Sequence, residues 1–244
     1  MRKVIVFYLL TAMLLIIACS KSENEQITPN VPTGKMIKEL TVNGITREYI
    51  IHVPENYNAT TALPLLLSFH GLSSNMEFNY NYTNFDELAE RENFIVVHPN
   101  GIDNRWTLSA SNNPDIDFIE TLLDHLENDY KIESNRIYST GMSNGGNFSF
   151  TLACELSNRI AAIASVTGLM LQVAIGDCIP TRPLAILHIH GTEDPIANYA
   201  FVQRGLEKPL FIYVPRAPER FDVVAEIIAE KSLSYANRSD VLDA

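Results

Sequence analysis

Short apolar runs recur along the chain, each closed by glycine or a polar residue. Leu63 to Phe69 is apolar almost throughout and ends in His70-Gly71, the pattern of a buried strand. Phe94 to Val97, Arg136 to Thr140, Ile160 to Val166, Leu184 to Ile189 and Phe211 to Val214 read the same way. Glu39 to Val42 and Glu48 to Val53 flank Asn43-Gly44, which predicts a β-hairpin with a tight turn. Between these runs the period changes. Ile119, Leu122, Leu123, Leu126 and Tyr130 share one helical face, so Asp115 to Asp129 is predicted as a helix. Asp115 and Asp117 then fall at its positive end, which favours carboxylates. Asn84 to Arg91, Asn144 to Leu156 and Phe221 to Leu233 also carry helical spacing. Alternating strands and helices predict an α/β fold, a mostly parallel sheet with helices on both faces.

The N-terminus follows a different rule. Arg2 and Lys3 precede an apolar stretch from Val4 to Ile17, about 14 residues against the roughly 20 needed to span a bilayer. This reads as a secretory signal, and Ile16-Ile17-Ala18-Cys19 resembles a bacterial lipobox that would place lipid on Cys19. A plain signal peptide with an incidental Cys19 is the alternative. Ser20 to Thr33 is polar, with Pro29 and Pro32, and reads as a tether. The expected organisation is a signal at 1–18, a tether at 19–36, a folded core at 37–195 and a divergent tail at 196–244. The protein is then expected outside the cytoplasm, membrane-anchored through lipid or secreted. There Cys154 and Cys178 are an even pair, open either to a disulfide or to two buried thiols.

Composition narrows the options. With 244 residues, 46% hydrophobic and 19% charged, the chain is an ordinary globular one. A net charge of −11 argues against nucleic acid as a partner. No metal-ligand spacing and no glycine-rich phosphate loop is present, so neither metal nor cofactor is expected. The spacing fixes no oligomeric state.

The sharpest chemical signal is Gly141-Met142-Ser143-Asn144-Gly145, a G-x-S-x-G motif between a predicted strand and a predicted helix. In that context the serine sits on a sharp bend with its hydroxyl exposed above the sheet. The helix N-terminus favours negative charge beside it, and the Asn144 amide points toward a developing oxyanion. His70-Gly71-Leu72, after a buried strand upstream, is where such sheets supply a second amide, here that of Leu72. Asp194, in His190-Gly191-Thr192-Glu193-Asp194, stands where the acid of a Ser–acid–His triad belongs. Trp106, in the polar loop 99–114, is a candidate for substrate binding, as is His70. Phe78, Tyr80, Tyr82 and Phe85 form an aromatic cluster suited to packing or to a substrate wall.

Phe69-His70-Gly71, Val97-His98-Pro99-Asn100-Gly101, Tyr138 to Gly146, Leu152-Ala153-Cys154-Glu155 and Leu187 to Pro195 together resemble the polyhydroxybutyrate depolymerase and feruloyl esterase group of secreted α/β-hydrolases. The resemblance runs from about Thr41 to Pro195. It implies ester hydrolysis through an acyl-enzyme, acting on an esterified polysaccharide or a polyester. Ser143 would be the nucleophile, Asp194 the acid, Leu72 and Asn144 the oxyanion donors, and Cys154 and Cys178 a disulfide.

One part of the pattern is missing. The six histidines lie at 52, 70, 98, 125, 188 and 190, and none follows Asp194. The loop Pro215 to Arg220, where the group carries its catalytic histidine, holds Arg216 and Glu219 instead. Arginine, with a pKa above about 12, is no base at neutral pH, and a carboxylate is a weak one for a serine. Three expectations compete: a sequence truncated or frame-shifted after Asp194, a fold retained for binding without catalysis, or recruitment of His70 or His98 as base.

Overall fold

The computed structural model describes residues 31–170, 178–191 and 193–196, together with the backbone of 211–213. Cys19, the predicted helix at 221–233 and the 215–220 loop lie outside the described residues.

The hairpin forms as the pattern predicts. Strand β1 (Gly34–Val42) and strand β2 (Ile45–Val53) pair antiparallel from Gly34↔Val53 to Val42↔Ile45. Asn43 and Gly44 turn the chain at φ 51° and 79°, the left-handed region that a two-residue hairpin of this twist requires. β1 takes in positions 34–36, so the end of the expected tether is strand.

β3 (Leu63–Phe69), β4 (Ile95–Pro99), β5 (Ile132–Met142), β6 (Ala162–Val166), β7 (Leu184–Ile189) and β8 (Phe211–Tyr213) complete an eight-stranded sheet. Its order is β1-β2-β4-β3-β5-β6-β7-β8. β2 meets β4 antiparallel, and every pairing from β4 to β8 is parallel. β3 therefore lies between β4 and β5, and the connections leave it in opposite directions. That reversal opens a crevice at the strands' C-terminal ends, where ligands of open α/β sheets bind.

Four α-helices lie among the described residues. α2 (Phe85–Glu92) is the helix expected at 84–91, and α1 (Met76–Thr83) is a further short helix before it that the spacing does not predict. Asn84 in the left-handed region ends α1 and begins α2, so Phe78, Tyr80 and Tyr82 lie on one helix and Phe85 opens the next. α3 (Pro114–Asp129) begins with Asn113 capping the amides of Asp115 and Ile116. α4 (Asn144–Glu155) follows β5 directly. α3 and α4 cover one face of the sheet, burying Phe118, Ile119, Leu122, Phe148 and Leu152 against Leu65, Leu67, Phe69 and Ile137. α2 covers the other, with Phe85, Leu88 and Ala89 packed on Leu66, Val96 and Tyr138.

Buried imidazoles make the fold sensitive to acid. His98 is fully buried, its Nδ1 within 3.1 Å of the Asn79 amide nitrogen, and burial pushes its pKa down to about 3. Burial pushes His188 down to about 4. An unfolded histidine takes its proton near 6.5, so the folded state resists a proton that the unfolded state accepts. This contribution is complete above pH 6.5 and is lost as pH falls from there toward about 4 for His188 and about 3 for His98. Thermal melts should show Tm constant above that pH and falling below it. His98→Asn, which keeps an acceptor for Asn79 but takes up no proton, should reduce the fall; an equal fall in both proteins would count against the assignment.

Candidate active site

β5 carries its chain to Met142, and α4 starts at Asn144. Only Ser143 separates strand from helix, and it adopts φ 52°, ψ −117°. A non-glycine residue there costs on the order of 1–3 kcal/mol and must be held by its surroundings. The Ser143 amide donates to the Val166 carbonyl at 2.9 Å, and its carbonyl accepts from the Asn147 amide at 2.9 Å. The side chain is exposed, as the motif predicts for a nucleophile on a strand–helix bend.

The two flanking glycines answer to space. A β-carbon on Gly141 would lie 2.4 Å from the Gly145 carbonyl carbon. One on Gly145 would lie 2.3 Å from the Phe69 carbonyl oxygen and 2.6 Å from that of His70. The bend is therefore pressed against the end of β3, where the residues expected to line the oxyanion site follow. A β-carbon at Gly71 would stand 3.9 Å from Ser143 Cβ. Gly71 thus lies against the serine, Leu72 follows it in chain, and the Leu72 amide has no acceptor among the described residues. Asn144 opens α4, so its amide has no intrahelical acceptor either. The two amides expected for an oxyanion thus flank Ser143 on two elements.

His70 and Trp106 behave differently from the expectation of substrate contact. His70 is 1% exposed; its Nε2 accepts the Gly101 amide at 3.0 Å, leaving Nδ1–H to donate to the Gly71 carbonyl at 2.8 Å. Burial lowers its pKa, which keeps the ring neutral and preserves that acceptor. Trp106 is 2% exposed, and its indole N–H donates to the His70 carbonyl at 2.9 Å. The ring stacks on Phe148 at 5.0 Å and meets Phe69 edge-on at 5.0 Å. Both side chains hold the wall of the site from behind. With both ring nitrogens engaged, His70 is no base for Ser143, and His98 is sealed within the fold.

Asn144 has a second use. Its side-chain Oδ1 accepts the Trp106 amide at 2.7 Å, and its Nδ2 donates to the Trp106 carbonyl at 3.3 Å. This pair joins the head of α4 to the loop after β4, a contact that the motif alone does not reveal.

On the far side, the Thr167 amide donates to the Ile189 carbonyl at 2.8 Å, so β7 ends two strands from Ser143, about 10 Å away. Asp194 follows β7, with Oδ2 3.4 Å from His190 Nε2 and Oδ1 accepting the Ile196 amide at 2.8 Å. His190 stacks on His188 at 5.2 Å, and its side chain is closed to solvent. Cys154, near the end of α4, is disulfide-bonded to Cys178. Phe78 and Tyr82 stack at 5.4 Å on α1, with Phe78 exposed, whereas Tyr80 and Phe85 are core.

The Phospholipase/Carboxylesterase family matches residues 107–209, from the loop before α3 past Asp194. A bifunctional acetylxylan esterase/xylanase from Neocallimastix patriciarum is 32% identical over 67% of this chain, and feruloyl esterase D from Neurospora crassa is 29% identical over 79%. The chain is similar to the feruloyl esterase and carboxylesterase-like group of α/β-hydrolases. It spans 24% of the length of the first of these relatives and 68% of the second. Among solved structures, this α/β-hydrolase shares its fold with a thermostable esterase at TM-score 0.62 and 19% identity, covering 83% of this chain and 62% of the other.

The crowding at the bend generates a direct prediction. Gly145→Ala should destabilise the protein by ~2–4 kcal/mol, because its methyl group meets two backbone carbonyls that have no rotamer to yield. Urea unfolding followed through Trp106, the only tryptophan, measures it. A change below about 0.5 kcal/mol would mean that the bend is looser than described.

Proposed function

We propose that this α/β-hydrolase is a serine carboxylic-ester hydrolase. The observation that carries the reading is Ser143 itself: exposed, at φ 52° and ψ −117°, beside the amides of Leu72 and Asn144, which have no acceptor among the described residues. In the proposed reaction Ser143 Oγ attacks the ester carbonyl as a base takes its proton. The carbonyl oxygen gains charge and draws the two amides, the alcohol leaves with a proton, and water releases the acid from the acyl-enzyme. Asp194 is the group that would orient the base. The names of the relatives favour feruloyl or acetyl esters of polysaccharide as substrates; a polyester is the alternative carried by the sequence resemblance.

A second reading is a binding protein on the same fold. It is favoured by the state of the imidazoles near the crevice: His70 is saturated by backbone, and His98 and His190 are closed to solvent. A fluorophosphonate probe separates the two. Ser143 in the folded protein should be phosphonylated, and Ser143→Ala should abolish the adduct in intact-mass spectra. Absence of any adduct on the folded wild type would favour the binding reading, in keeping with the loss of about 10⁶ in kcat when a serine hydrolase lacks its base.

We further propose that the protein works outside the cytoplasm, anchored by lipid on Cys19. Expressed in a bacterium, the wild type should partition into the detergent phase of Triton X-114 and Cys19→Ser into the aqueous phase. Aqueous partitioning of both would contradict the anchor.

A further inference from the structure

Asp115 is completely buried, and so is the cation that meets it. Arg47 on β2 donates from Nη2 to Asp115 Oδ1 at 2.6 Å, with its guanidinium over the Phe118 ring at 4.2 Å. Two charges removed from water gain little net stability unless their remaining hydrogen-bonding groups are also used. Here those groups converge on one segment, the loop 100–113 between β4 and α3. Arg47 Nη2 also donates to the Asn100 carbonyl at 2.9 Å, at the loop's start. Its Nη1 lies 3.5 Å from the Pro114 carbonyl, just past the loop's end. Asp115 Oδ2 accepts the Thr107 amide at 2.8 Å, in the middle.

The same loop supplies the contacts that fix the elements around Ser143. Gly101 donates to His70, and Trp106 bonds both the His70 carbonyl and the Asn144 side chain. The Asn104 carbonyl accepts the Ser73 amide at 2.9 Å, which holds the segment carrying Leu72. The loop has no sheet ladder of its own to keep it in register.

We infer that the buried Arg47–Asp115 pair is a positioning device for the reactive serine: it clamps the loop 100–113, and the loop sets the Leu72 and Asn144 amides against Ser143. The inference rests on the ester-hydrolase reading for the role of those amides, but the clamp itself is testable apart from it. Neither Arg47 nor Asp115 touches the reacting atoms. Their effect passes through Thr107, Trp106 and His70, and displacements near 1 Å are enough to cost about 100-fold in an oriented reaction.

The test uses the full chain and the double variant Arg47→Met, Asp115→Leu. Removing both charges together leaves neither unpaired, so the fold should persist with a Tm close to that of the wild type. Two quantities are read at a temperature where both proteins are folded. The second-order rate of Ser143 phosphonylation by a fluorophosphonate should drop by about tenfold or more. Hydrogen exchange should rise in peptides covering 71–74 and 101–107, and stay unchanged in β6 and β7. If the double variant does not fold, Asp115→Asn takes its place; it retains one oxygen and cannot accept from both Arg47 and Thr107, so the same two changes are expected in smaller measure. A folded variant with wild-type labelling and unchanged exchange in both segments overturns the inference. If wild-type Ser143 is not labelled at all, the ester-hydrolase reading fails, and the exchange data alone decide whether the clamp exists.

Discussion

A serine at positive φ, squeezed between the end of one strand and the first turn of a helix, is the constraint on which this structure turns. No serine adopts that conformation at no cost. It is held because the Ser143 amide and carbonyl are both committed, and because Gly141 and Gly145 carry no β-carbon to push the bend away from the end of β3. The hydroxyl faces outward as a consequence. The helix that follows brings an amide with no acceptor among the described residues to the same point, and the reversal of connections at β3 brings the second.

The sheet provides the serine, but loops provide most of what surrounds it. His70 and Trp106 show how that division works. Each looks like a chemical residue by type, and each is buried with its polar atoms on the backbone. A neutral imidazole accepts one amide and donates to one carbonyl, so it can stitch two loop segments together where a charged side chain could not. An indole N–H does the same for the strand end while its ring fills the space between Phe69 and Phe148.

Much of this was legible in the chain. The strand from Leu63 to Phe69 matches its apolar run, because a strand buried on both faces leaves no other pattern. The Ser143 bend could be read because its glycines answer to local sterics. What sequence could not convey was long-range pairing. Asp115 reads as a helix-end carboxylate, and nothing near it announces Arg47, 68 residues earlier on another element. Trp106 reads as a binding residue because a tryptophan in a polar loop carries no mark of burial. The helix α1 leaves no clear apolar pattern because its buried face, Met76, Asn79, Tyr80 and Thr83, is half polar.

An oxygen placed on the carbon or phosphorus attached to Ser143 must meet two amides at once. A crystal structure of the fluorophosphonate adduct measures this directly. Phosphorus should be bonded to Ser143 Oγ, with its oxygen about 3 Å from the backbone nitrogens of both Leu72 and Asn144. An adduct whose oxygen turns to solvent, away from both nitrogens, would contradict it.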